Sequence, residues 1–110
     1  MKKQFQTTMY SMGVLHHYCG YSYLEEAVFL VVEDPERLQS IQKEIYLPVA
    51  IKYHTNVANV EKNIRTIRDV MMKNGGREML VEISGCEFWK DKKPYPKELI
   101  EIFAGYFSQK

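Results

Sequence analysis

Thr55, Asn56, Asn59, Glu61, Lys62, Arg65 and Thr66 crowd one short stretch of the 110-residue chain, "HTNVANVEKNIRT". Their chemistry is recognition rather than turnover. An Arg guanidinium forks onto guanine O6 and N7. A Glu carboxylate accepts from cytosine N4, and Asn and Thr serve bases or phosphates. Lys62 is a flexible point charge suited to a phosphate. Thr55, Asn56 and Asn59 stand where a helix would begin, and helix amides with short polar side chains hold anions there. The rival reading is a solvated helix in which Glu61 and Arg65 merely pair with each other at i,i+4.

Other reactive side chains assemble less well. "HHYC" brings His16, His17 and Cys19 together, but a metal site needs three or four ligands on a suitable frame. Nothing in the spacing recruits Cys86 or His54, so no metal or other cofactor is expected. A Cys–His nucleophile lacks an acid partner and an oxyanion site, and no enzyme motif is present. Gly75-Gly76 reads as a helix stop, not a phosphate loop. Phe88 and Trp89 beside Lys90, Lys92 and Lys93 could stack on bases, but they fit better as the lid of a small core.

The recognition candidates need a helix to present them. At about 100° per residue, Val57, Val60, Ile64, Ile67 and Met71 fall on one stripe. Ala58, Asn59, Lys62, Arg65, Thr66 and Asp69 fall opposite, with Glu61 and Arg68 on the flanks. A shorter helix precedes it: Pro48 breaks or bends the chain and can open a new helix at its first turn, and Val49, Ala50 and Tyr53 suit an inner face. The pair has the outline of a helix-turn-helix. Ala50 is small where the helices cross, and Val60 plugs the space between them. The turn needs a residue that tolerates positive φ, a role His54 can fill.

The remaining chain is helical as well. Phe5, Met9 and Met12 share a face and stop at Gly13. "GYSYLEEAVFLVVEDP" reads as a buried central helix, with Ser22 and Glu25 as a capping box, although its β-branched run leaves a buried strand open. Asp34-Pro35 begins the next helix, with Leu38, Ile41 and Ile45 inside. After Gly76 a brief helix places Met79, Leu80 and Ile83 inward and ends at Gly85. "CEFWKDKKPYP" reads as a loop, and Pro96 opens a last helix packed through Leu99, Ile100, Phe103 and Phe107. The expectation is one compact all-α domain over residues 1–110, a bundle of about six helices.

Composition agrees with such a domain and narrows its class. A hydrophobic fraction of 45% supports a single core without disulfides. The net charge of +1 leaves nucleic-acid binding to a local patch. The two cysteines and absence of an apolar leader after Lys2-Lys3 suggest a reduced, cytoplasmic protein. No apolar run reaches the roughly 18 residues of a membrane span.

The ordered motifs carry a family resemblance. "GVLHHYCGYSYLEEAV", "IQKEIYLPVAIKYHTNVANVEKNIR" and "KPYPKELIEIFAGYF" resemble, in order and spacing, the C-terminal effector domains of the sporulation master response regulators. The resemblance implies a six-helix, wingless domain that reads a short box of double-stranded DNA, often in tandem. It implies base reading by Glu61 and Arg65, and contact with the RNA polymerase sigma factor through residues near Arg77 and Glu78. Lys62 and Asn59 stand where the family commonly has Arg, and Ala58 replaces a small hydroxyl residue. The family's upstream receiver domain has no counterpart in this sequence, so the chain is either a free-standing effector domain or a fragment of a longer protein. A monomer that pairs on tandem sites is therefore expected. The alternative is a helical protein-interaction module of the same fold that has lost DNA readout.

Overall fold

Apolar residues spaced three and four apart roll into six α-helices in the computed structural model, which describes residues 2–108. They are α1 (Lys2–Ser11), α2 (Cys19–Glu33), α3 (Leu47–Lys52), α4 (Val57–Lys73), α5 (Gly76–Ser84) and α6 (Pro96–Ser108). No strand occurs among the described residues.

The axis of the fold is α2. Leu24, Ala27, Val28 and Val31 are buried along it, and α4 and α6 pack against it. The β-branched run of this segment is compatible with helix because its side chains find partners on several sides. Phe5 of α1 joins the layers. Its ring lies 5.5 Å from Tyr21 and 5.9 Å from Phe29 of α2, and 6.3 Å from Phe103 of α6. Met9 and Met12 are buried beside it, as their spacing predicts.

The start of α2 differs from the expected capping box. The helix begins at Cys19, its N-cap is Tyr18, and no side chain caps it. Ser22 lies inside the first turns. Burial of Gly20 and Tyr21 under the neighbouring helices extends the helix past the sequence signal, so packing outweighs a cap worth about 1 kcal/mol.

Residues between α2 and α3 also depart from a plain helix. Asp34 caps as expected, its carboxylate accepting from the Glu36 amide at 3.2 Å, with Pro35 in the first turn. The element it opens is a 3-10 turn, Pro35–Ser40, followed by a π turn, Gln42–Tyr46. Ile45 is buried, whereas Leu38 and Ile41 are only half-buried. Pro48 then lies in the first turn of α3, as expected. A proline has no N–H to give the carbonyl four residues earlier, which here is that of Glu44. The Glu44 carbonyl accepts from Arg37 Nη1 at 2.6 Å.

Beyond α4 the chain turns at Gly75, with φ 86°. Gly76 makes the corner tight: a Cβ there would lie 2.3 Å from the Met71 carbonyl oxygen. Leu80 is buried, Met79 and Ile83 are half-buried, and Gly85 ends α5. The expected loop that follows contains a short 3-10 turn, Glu87–Lys90. Trp89 is buried under it and Phe88 is exposed, so only one of the two aromatics closes the core. In α6, Leu99, Ile100, Phe103 and Phe107 are all buried.

Candidate nucleic-acid interface

A tight turn joins α3 to α4. Thr55 N–H donates to the Ala50 carbonyl at 2.9 Å, and His54 takes φ 55°, the one positive-φ non-glycine residue among those described. The turn chemistry expected of His54 is therefore present. Ala50 and Val60 are buried where the two helices meet. Tyr53 departs from its expected inner position. It lies at the surface with its ring 5.3 Å from Tyr23.

Asn56 caps α4: its Oδ1 accepts from the Asn59 amide at 2.8 Å. Val60, Ile64, Ile67 and Met71 are buried along one side, and Val57 is half-buried at the first turn. Gly20 of α2 allows this helix to come close. A Cβ at that position would lie 2.2 Å from the Asn63 carbonyl oxygen and 2.4 Å from Ile67. The apolar stripe and this close crossing together fix which face of α4 looks outward.

The outward face carries Ala58, Lys62, Arg65 and Thr66, all exposed. The Lys62 ammonium makes no hydrogen bond or ion pair among the described residues, whereas Arg65 Nη2 holds Glu61 Oε1 at 2.9 Å. Thr66 Oγ1 donates back to the Lys62 carbonyl at 3.1 Å, leaving its lone pairs outward. Asn59 is half-buried in a ladder. Its Nδ2 donates to Thr55 Oγ1 at 2.9 Å, and its Oδ1 accepts from Asn63 Nδ2 at 3.1 Å. Thr55, Asn59 and Asn63 thus brace the first turns of α4, a role for Asn63 that sequence periodicity did not single out.

One flank of α4 is tied to the segment before α6. Arg68 donates to Asp69 Oδ1 and to the Pro94 carbonyl at 3.1 and 3.3 Å, and Lys93 reaches Asp69 at 3.3 Å. Burial pushes the Asp69 carboxyl up, but the bonds and charges of Arg68 and Lys93 outweigh it and hold the group below its ordinary value. Beside this clasp lies a groove of about 400 Å³, whose lining includes Tyr46, Glu61, Arg65, Tyr95 and Lys97. Burial, followed by the charge of Glu61, raises the Tyr46 phenol, and Arg65 partly offsets this. Tyr95 and Lys97 carried no sequence signal, because they stand far from α4 in the chain.

Arg77 and Glu78 occupy the first turn of α5, beyond the C-terminal end of α4. Arg77 Nη1 donates to the carbonyls of Trp89 and Lys90 at 3.2 and 3.1 Å. Glu78 is exposed. His16 stacks on Tyr21 at 4.6 Å and His17 on Tyr18 at 4.4 Å. No group of three or more potential metal-ligating side chains forms among the described residues.

An all-α bundle that offers a capped helix, polar outward and entered through a left-handed turn, has the outline of a DNA-binding regulatory domain. Residues 5–107 match the model of the family described as "Sporulation initiation factor Spo0A C terminal", and the chain belongs to that family. This is a family of DNA-binding effector domains of sporulation regulators, not a family of enzymes. No helix among the described residues is long and apolar enough to cross a membrane.

Proposed function

We propose that this protein is a sequence-specific transcriptional regulator that reads a short duplex box with α4 in the major groove. The observation that carries the reading is the exposed row Lys62, Arg65 and Thr66 on a helix whose other face is locked into the core. A helix held this firmly presents its side chains without further ordering cost. Arg65 and Glu61 read base edges, while Lys62, Thr66 and the Thr55–Asn56–Asn59 end of the helix hold the backbone. The domain acts in the cytoplasm as a monomer and pairs on tandem boxes. Arg77 braces the α5 corner, and Glu78 meets the sigma factor.

A second reading has its own observation. Leu47 and Ile51, one turn apart on α3, are 41% and 66% exposed. Such a pair suits a protein partner, and the mutual Glu61–Arg65 bond would then be an ordinary surface pair. Selection from random duplex DNA at moderate salt, followed by sequencing of the retained molecules, separates the two. A recurrent box supports DNA reading. Retention without sequence preference, or none at all, leaves the interaction module.

A further inference from the structure

The groove beside α4 collects hydrogen-bond donors that have no partner among the described residues. Its walls come from the π turn (Gln42, Tyr46), from α4 (Glu61, Arg65, Arg68) and from the entry to α6 (Tyr95, Lys97). Arg65 is held by Glu61, and Arg68 by Asp69 and the Pro94 carbonyl. The Lys97 ammonium, the Gln42 amide and the Tyr95 hydroxyl remain unengaged. Tyr95 is 73% exposed, yet its backbone is fixed, its N–H donating to Glu98 Oε1 at 2.8 Å. The clasp from Arg68 and Lys93 holds this corner against α4. Three cations and one carboxylate line the groove, so it favours an anion.

We propose that this groove is a second DNA contact: it seats a backbone phosphate of the duplex that α4 reads, through Lys97, Tyr95 and Gln42. The occupant follows from position and charge. The groove is continuous with the Glu61–Arg65 edge of α4, so a duplex lying on that helix brings a strand of phosphates alongside it. The contact is blind to sequence and sets the register of α4 on its box. The inference rests on the DNA-reading function proposed above.

Phosphate neutralisation tests it. Single methylphosphonates are placed one at a time along a selected duplex, and affinity is measured for the parent, Lys97→Ala and Tyr95→Phe. With the parent, one neutralised phosphate flanking the bases read by α4 weakens binding. With Lys97→Ala, neutralising that same phosphate no longer matters, and the log-affinity versus log-salt slope flattens by about 0.9. Tyr95→Phe weakens selected and scrambled duplexes by the same factor. Thermal melting verifies that each variant folds, and Lys97→Gln replaces the alanine variant if it does not. Unchanged phosphate maps and salt slopes in both variants overturn the groove contact while DNA reading stands. A parent that binds no duplex overturns both.

Discussion

Arg65 and Lys62 stand one turn apart on α4 and differ in what they already touch. Arg65 is bonded to Glu61 at 2.9 Å, whereas the Lys62 ammonium has no partner among the described residues. An exposed i,i+4 pair is worth about 0.3–0.5 kcal/mol, so a base edge can draw Arg65 away at small cost. Arg65→Ala is expected to lose about 1–3 kcal/mol on the preferred box and little on scrambled DNA. Lys62→Ala is expected to weaken both duplexes alike and to flatten the salt slope by about 0.9. Glu61→Ala removes an acid that is unfavourable near phosphates unless it accepts from cytosine. It relaxes specificity while binding to scrambled DNA holds or rises. Titration of all three on selected and scrambled duplexes at two salt concentrations checks these outcomes. Three variants that bind as weakly and uniformly as the parent would return the case to a solvated helix.

Helices are placed by contacts that single residues can break. Gly20 lets α2 and α4 pack closely, and a methyl group there meets the Asn63 backbone at 2.2 Å. Backbone cannot rotate away as a flexible side chain can. Gly20→Ala is therefore expected to cost at least the 1–3 kcal/mol typical of overpacking, seen as a lower midpoint in urea unfolding. A midpoint equal to that of the parent would show that the helices separate easily. The α4–α6 clasp has a pH signature. Asp69 has a folded pKa held below its ordinary 3.8, so its contribution is complete above that value. It disappears as pH falls through the lower folded value. The carboxylate is partly exposed, which limits the contribution to about 0.2–1 kcal/mol. Asp69→Asn should be less stable than the parent at neutral pH and equal to it in strong acid. A stability difference that stays constant across an acid titration would remove the clasp from the account.

At the scale of the whole molecule, the surfaces divide between partners. The described residues bury most of their large apolar side chains in one core, and beyond the Leu47–Ile51 pair on α3 the exposed ones lie on several elements. A monomer in solution is expected, with light scattering as the check; a tight dimer without DNA would contradict it. Glu78, at the far end of α4 from the Asn56 cap, is expected to serve activation and not DNA affinity. Charge reversal by Glu78→Lys should reduce transcription from a target promoter in a reconstituted assay while duplex affinity stays within about twofold, a change of about 0.4 kcal/mol. Loss of both together would assign the effect to folding or to DNA.

The sequence by itself determined the features that depend on neighbours within a few residues. The Val57–Met71 stripe, the Asn56 entry to α4, the αL turn at His54, the Gly75 stop and the Pro96 start follow from local periodicity and backbone sterics. The polar face of α4 was legible for the same reason, because burying one face of a helix exposes the other. Tertiary structure decided what depends on residues distant in the chain. Packing of Gly20 on Asn63 moved the start of α2 to Cys19, and Arg37 bonded to Glu44 accompanies a π turn where a regular helix was expected. Tyr53 came to the surface because Tyr23 offered it a ring to lie against. Arg68 found Pro94, and Tyr95 and Lys97 came to line a groove with Glu61 and Arg65. No periodicity encodes these pairings. They arise only when the apolar faces have met, because that packing sets which polar groups are left side by side.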